Sequence, residues 1–237
     1  MTRSTWILTS AAWAAGSFAL AGDLERCVEG GTIPDGGVTE RAFEVPGPAS
    51  PQVITAARVR LEGIHPWVGD LRASLVHPSG LAITLIDRPG IPSTGFPGPW
   101  GCGGDDFTCT LSDDAAAALE STCSFGPPPV LSGTLRPSTP LAALVGLPPE
   151  GTWRIVLEDA VAGDAGALVV ACLELSLASA CPADLDGNRA VDAADLARIL
   201  AEWGACSGCP ADLDGDGQVA ASDLTATLAA WGSCEDP

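Results

Sequence analysis

The sequence predicts a mainly β chain, a jelly-roll β-sandwich body followed by a small α-helical tail. Two observations predict this. Between residues 31 and 177, short runs rich in β-branched and aliphatic residues, such as Val53–Leu61, Leu71–Val76 and Leu81–Ile86, are punctuated by Gly, Pro and Asp. Helical periodicity surfaces there only briefly, at Asp114–Glu120. From Cys181 to Cys234, by contrast, one unit is written twice, CPADLDGNRAVDAADLARILAEWGAC and then CPADLDGDGQVAASDLTATLAAWGSC. Every landmark recurs 28 positions later, and such a fixed period marks a duplicated supersecondary unit.

The chain opens with Arg3, an apolar run from Trp6 to Leu20, and the small-residue site Ala19-Leu20-Ala21. Residues 1–21 therefore read as a signal peptide, with the mature chain beginning at Gly22. The run is broken by Thr, Ser and Gly and falls short of the ~20 apolar residues a membrane span needs, and no later stretch qualifies as a transmembrane segment. The expectation is a secreted or cell-surface protein with a β domain over residues 22–177 and a repeat module over 178–237. Nine cysteines suit an exported, disulfide-bonded chain. A net charge of −19, with eleven Arg and no Lys, excludes a nucleic-acid partner, because nothing here could neutralise phosphates. Residues 181–237 hold eleven acids and two bases, so nearly half of that deficit lies where a bound cation would offset it.

Within the body, Ala57-Arg58-Val59-Arg60-Leu61 alternates, placing Arg58 and Arg60 outward, and Arg154-Ile155-Val156-Leu157 alternates more weakly. Many short strands with turn signals indicate a sandwich or jelly roll. Particular phrases follow in order: His65-Pro66-Trp67-Val68-Gly69-Asp70-Leu71, then Leu75-Val76-His77-Pro78-Ser79-Gly80, then Leu85-Ile86-Asp87-Arg88-Pro89-Gly90. Gly151-Thr152-Trp153, Glu158-Asp159 and Gly163-Asp164-Ala165-Gly166 come later. Their order and spacing over residues 31–177 resemble the P domain (P/Homo B) of proprotein convertases and related bacterial proteases. The resemblance implies a β jelly roll that normally follows and stabilises a subtilisin-like catalytic domain. Only about ten residues separate the expected cleavage point from the first strand so read, so no protease domain is expected in this chain.

His65, Asp70 and Ser79 are the residue types of a hydrolase triad, but the sequence has no G-x-S-x-G elbow and no second motif for an oxyanion hole. The better reading is a turn shaped by Gly69 and Asp70, with His65 and Trp67 packed beside it, and no enzyme activity. His65 and His77 lack the Cys and His partners of a zinc site. Asp105-Asp106 and Asp113-Asp114 are either solvated acidic loops or a further Ca²⁺ site. Residues 88–104 read as a long surface loop, and Ala178–Ala180 as the short linker.

Each repeat opens with oxygen donors at the spacing of a twelve-residue loop. Copy one offers Asp184, Asp186, Asn188, Asp192 and Asp195 at positions 1, 3, 5, 9 and 12, with the carbonyl of Ala190 at position 7. Copy two offers Asp212, Asp214, Asp216 and Asp223, with the carbonyl of Gln218 at position 7 and Ala220 at position 9. A hard cation such as Ca²⁺ takes six to eight oxygens, and alternate residues of a tight loop converge on one centre. The spacing therefore predicts two Ca²⁺ sites. Gly217 fills position 6, where the loop turns sharply; Arg189 stands there in copy one, so site one should be strained or weaker. Val191 and Val219 should face the core. Leu196, Ile199, Leu200 and Trp203 form an i, i+3, i+4, i+7 apolar stripe, echoed by Leu224, Leu228 and Trp231, and Gly204 and Gly232 follow as stops.

A loop and exiting helix without an entering helix, with Asp at position 12, twice in tandem, resembles the dockerin type I module. That resemblance implies two antiparallel halves, two Ca²⁺ ions and docking onto a cohesin domain. The family's Ser-Thr pair at positions 10 and 11 is replaced here by Ala193-Ala194 and Ala221-Ser222. Together the two resemblances imply a non-catalytic calcium-binding protein that anchors its β domain to a cohesin-like or envelope partner. The alternative is an accessory subunit of an extracellular subtilisin-like serine protease.

For the cysteines, the expected pairs in the body are Cys27–Cys172 and Cys102–Cys123, with Cys109 either free or competing. In the module, a helix of about ten residues holds its two ends ~15 Å apart, too far for a disulfide within one copy. Antiparallel halves instead place Cys181 by Cys234 and Cys206 by Cys209.

Overall fold

The computed structural model describes residues 23–47, 51–90, 101–122, 127–206 and 208–234. The expected signal peptide, most of the Gly/Pro-rich loop after Arg88, and Cys123 lie outside them. Among the described residues the body has nine strands: β1 (Asp23–Ile33), β2 (Val38–Val45), β3 (Gln52–Ile64), β4 (Leu71–Val76), β5 (Ala82–Asp87), β6 (Phe107–Leu111), β7 (Leu131–Leu135), β8 (Gly151–Asp159) and β9 (Gly166–Ser179). They form a five-stranded sheet in the order β1-β9-β3-β6-β7 and a four-stranded sheet in the order β2-β8-β4-β5. All pairings are antiparallel except β6 with β7.

The period of two explains the layers. Trp153, Ile155 and Leu157 of β8 are buried, and Arg154, Val156 and Glu158 between them are partly exposed. Leu61 and Phe107 from one sheet and Leu75 and Trp153 from the other belong to one hydrophobic core. Gly63 is required there, since a Cβ at that position would overlap the Phe107 ring. Trp153 is fully buried, donates its indole N–H to the Pro149 carbonyl at 2.8 Å, and meets His77 edge-on at 4.7 Å between ring centroids.

The structure moves several expected boundaries. The first strand begins at Asp23, ahead of residue 31, because Leu24, Arg26 and Val28 continue the alternation backwards along β9. Cys27 lies inside that strand and opposite Cys172 in register, with the disulfide closed at a Cα–Cα distance of 4.0 Å. β9 runs through Ser179, so Ala178 and Ser179 belong to the sheet rather than to a free linker, and Ala180 still donates its N–H to the Pro51 carbonyl. The brief helical signal at Asp114–Glu120 becomes only a 3₁₀ turn at Leu119–Ser121. Cys102 is disulfide-bonded and Cys109 is free and buried.

Among the described residues the tail holds two helices, α1 (Ala193–Ala201) and α2 (Ala221–Ala229), and four two-residue strands, β10 (Ala190–Val191), β11 (Gly204–Ala205), β12 (Gln218–Val219) and β13 (Gly232–Ser233). β10 pairs with β13 and β11 with β12, both antiparallel. The loop of each copy is thus hydrogen-bonded to the tail of the other. Cys181–Cys234 and Cys206–Cys209 are bonded, each with Cα atoms 5.8 Å apart, as antiparallel halves require. Val191 and Val219 are buried, with Ile199 and Ala211. The apolar stripe does not stay together, however. Ile199 turns inward, whereas Leu200, Trp203, Leu228 and Trp231 are 50–56% exposed, because so short a helix pair has no further layer to cover them.

The fold makes one stability prediction. Trp153→Ala should cost about 3–5 kcal/mol, read as a lower urea midpoint by far-UV circular dichroism.

Candidate metal centres

In copy one, Asp184, Asp186 and Asp195 bring carboxylate oxygens within 4.8 Å of one another, and in copy two Asp212, Asp214 and Asp223 do the same. The convergence has a local cause: backbone amides hold each carboxylate. Asp184 Oδ1 accepts from the Gly187 and Asn188 N–H at 2.9 and 3.1 Å, and Oδ2 from Arg189 at 2.8 Å. Asp212 repeats this with Gly215, Asp216 and Gly217 at 2.9, 3.1 and 2.9 Å. These bonds curl the loop around its first residue.

The last loop residue closes the ring from the helix side. Asp195 accepts from the amides of Leu185, Asp186 and Asp192 at 2.7, 3.2 and 2.9 Å. Asp223 accepts from Leu213, Asp214 and Ala220 at 2.8, 3.4 and 2.7 Å. Both side chains are fully buried. For Asp195, burial works to raise the carboxyl pKa, but the amides of Asp192, Leu185 and Asp186 outweigh it and hold it below the ordinary aspartate value. Asp223 is also held low, first by the Ala220 amide against burial, then by Leu213 and Asp214.

The remaining expected ligands are placed differently. Asn188 turns its amide nitrogen to Asp186 at 3.2 Å and accepts from the Ala190 N–H at 2.8 Å. Asp216 accepts from the Gln218 N–H at 2.8 Å and stands outside the carboxylate triplet. Ala190 and Gln218 lie at the first residues of β10 and β12, where the loops end. Asp192 also stands outside its triplet: it caps α1, accepting from the Ala194 N–H at 2.8 Å, a bond Ala220 cannot make for α2. Arg189 adopts φ +70° and Gly217 φ +88°, so both copies demand the same left-handed turn and only one has glycine for it.

The donor set fits a hard divalent cation. Both triplets are carboxylate oxygens only, without nitrogen or sulfur, and a carboxylate oxygen that accepts one amide keeps a lone pair for a metal. Two other groupings do not fit, Glu25 with Cys27 and Cys172 and Glu202 with Cys206 and Cys209, since their sulfurs are tied in disulfides.

In the body, the triad types do not assemble. Ser79 Oγ lies 2.8 Å from His77 Nδ1, and His77 Nε2 lies 2.9 Å from the Pro148 carbonyl. His65 faces Asp159 at 3.6 Å, and Asp70 faces Arg88 at 3.5 Å. Burial raises the Asp70 carboxyl pKa, opposed by Arg88 and reinforced by Asp159. Asp113 caps the 3₁₀ turn at Leu141–Leu144, its two oxygens accepting from the Leu141 and Ala142 amides. Burial pushes the Cys109 thiol up to about 12, which leaves it inert at neutral pH.

No protein-family model matches the chain, and no curated protein matches it either. Among solved structures it is similar to the serine protease of Aeromonas sobria in complex with the chaperone ORF2, at 16% identity over 67% of this chain with a TM-score of 0.39. The A. sobria serine protease alone gives 15% identity over 67% of this chain and a TM-score of 0.36. The chain spans only 27% of the length of either match. FlhE gives 14% identity over 67% of this chain and 97% of its own length, with a TM-score of 0.38. Likeness this slight bears on neither family nor function.

Two predictions follow from the loop geometry. Asp195 and Asp223 have folded pKa values below the ordinary 3.8. They therefore contribute stability that is present above that value and is lost as pH falls through the lower folded values. In chelator, hydrogen exchange at the Leu185, Asp186 and Leu213 amides should stay slow from neutral pH to about pH 4 and accelerate below it, after correction for intrinsic rates. Separately, Arg189→Gly should stabilise the module by about 1 kcal/mol, measured by thermal unfolding in chelator.

Proposed function

We propose that this is a secreted, non-catalytic, calcium-binding protein whose dockerin-like tail attaches a jelly-roll, P-domain-like body to a protein partner. The observation that carries this reading is the convergence of three carboxylates within 4.8 Å in each of two loops in register. Like charges held so close repel unless a cation joins them. Asp184, Asp186 and Asp195 would hold one Ca²⁺ and Asp212, Asp214 and Asp223 the other. Asn188 or Asp216 and the carbonyls of Ala190 and Gln218 would complete each set. The ion supplies positive charge at the loop centre. The chain's own amides pre-shape each loop, so binding tightens a turn that is already formed.

Attachment is supported by the outward residues. Leu200 and Trp203 in copy one and Leu228 and Trp231 in copy two stand at equivalent positions and stay half exposed. Large apolar side chains left in water at matched positions suit burial against a partner. Site two is the tighter, since Asp216 carries a charge that Asn188 lacks and Gly217 turns without strain. Asp192 in copy one narrows that gap. A non-enzymatic role suits the separation of His65, Asp70 and Ser79.

Calorimetric titration of the mature protein tests the reading. We expect uptake of two Ca²⁺, a rise in the module's unfolding temperature, and loss of the stronger site in Asp212→Ala with Asp214→Ala. The body should keep its fold in chelator. No uptake at millimolar Ca²⁺ would refute the proposal. Capture in Ca²⁺ and release in chelator of a cohesin-like or envelope protein supports anchoring, whereas capture of a peptidase supports the accessory-subunit role.

A further inference from the structure

We propose that the open face of the five-stranded sheet is a docking cleft for an extended, Lys- or Arg-bearing segment of a partner protein. The inference uses no residue of the repeats and stands apart from the calcium reading. Two adjoining hollows of about 550 and 570 Å³ lie on this face and share Arg58, Ser112, Asp114 and Glu174. Register builds their floor: Glu25 lies opposite Glu174, and Glu174 opposite Arg58, so one row crosses β1, β9 and β3.

That row is unbalanced. Two glutamates directly opposite each other on neighbouring strands are destabilising unless a cation joins them. Glu25 reaches Arg60 at 3.9 Å, but Glu174, Asp114 and Arg58 make no ion pair among the described residues. With Glu25 already facing Arg60, Asp114 and Glu174 against Arg58 leave the cleft net negative on a chain of net charge −19, which selects a cationic occupant and repels an acidic one.

Ser112 is an independent pointer. It is only 4% exposed and lines both hollows, yet its hydroxyl makes no hydrogen bond among the described residues. Leu111 before it is in the core, so alternation turns Ser112 to the cleft. The hydroxyl is thus left accessible in the cleft wall of an otherwise buried residue, open to a partner's donor or acceptor. With the free Arg58 guanidinium it offers donors to the carbonyls of an extended backbone. The flanking carboxylates then receive Lys or Arg, whose aliphatic stems fit against Ala142 and the exposed Val145.

The test titrates the full mature protein, at low salt, with a short fluorescein-labelled peptide alternating Lys and Ala, and with its Glu–Ala counterpart. We expect the basic peptide to bind and the acidic one not to. Asp114→Asn with Glu174→Gln should weaken binding about fivefold, while the charge-matched Glu40→Gln with Glu44→Gln on β2 should change it less than about twofold. Equal losses in both variants, or no binding of the basic peptide, overturn the proposal. Amide shifts in the wild-type protein give a second reading that depends on no variant. Perturbations gathered at Arg58, Ser112 and Glu174 support the cleft, and perturbations gathered in residues 181–234 overturn it.

Discussion

Both halves of the molecule depend on β9. This fourteen-residue strand is hydrogen-bonded to β1 on one edge and β3 on the other over nearly its whole length. A strand paired on both edges has no free backbone groups to satisfy, so its position is set by its neighbours. Its inner residues, Leu168, Leu173, Leu175 and Leu177, anchor the core. At Ala171-Cys172-Leu173 three consecutive residues are buried, which breaks the alternation. The reason lies on the outer face, where the disulfide to Cys27 and the Arg60 guanidinium, 2.9 Å from Cys172 Sγ, cover the middle residue. The strand then leads straight into the tail, with the Cys181 N–H bonded to Ser179 Oγ at 3.1 Å.

In the tail, reciprocity replaces size. A nine-residue helix is too short to persist alone in water, and the buried cluster of Ile199, Ala211 and Val219 is small. Each copy therefore borrows from the other. Cys234 donates its N–H to the Arg189 carbonyl and Cys206 to that of Gly217, both at 2.9 Å, so each chain exit is fixed to the opposite loop at position 6. The disulfides bond those same exits to the module's entry and connector, which restricts the unfolded chain where the native contacts are thinnest.

Much of this was legible in the sequence, for identifiable reasons. The 28-residue repeat fixed the loop and helix positions and, with antiparallel packing, the two module disulfides. Val191 and Val219 followed from loop position alone. What escaped depends on residues far apart in the chain. The alternation that carries β1 back to Asp23 is weak and is legible only beside β9. The apolar stripe groups Leu200 with Ile199 on α1 and Leu228 with Leu224 on α2, but periodicity cannot report how many layers a small module has, and Leu200 and Leu228 stay exposed. Ile199 has Thr227 as its counterpart, buried by returning its hydroxyl hydrogen to the Asp223 carbonyl at 2.9 Å, a local bond that disguises a polar residue in a core position. The cleft around Arg58 joins residues from β1, β3 and β9 with the segments at Ser112–Asp114 and Ala142–Val145, and no local motif marks it.

The phrases that looked most like chemistry turn out to tie loops. Asp159 Oδ2 accepts from the Gly36 N–H and Oδ1 from the Val161 N–H, at 3.2 and 3.1 Å, holding the β1–β2 and β8–β9 connections together. His65 lies beside the same carboxylate and brackets the β3–β4 connection, its Nδ1 2.9 Å from the Trp67 carbonyl and its own N–H bonded to Asp106. Asp70 and Arg88 continue the network to the end of β5, with the Arg88 guanidinium also reaching the Gly69 carbonyl at 3.4 Å. Burying polar groups this deeply costs free energy that hydrogen bonds within the network offset. Among the described residues the network is bonded except at His65 Nε2, which has no hydrogen-bond partner, and its bonds specify where the loops lie. His65, Asp70 and Asp159 come together because one end of the body is closed by polar bonds between its loops.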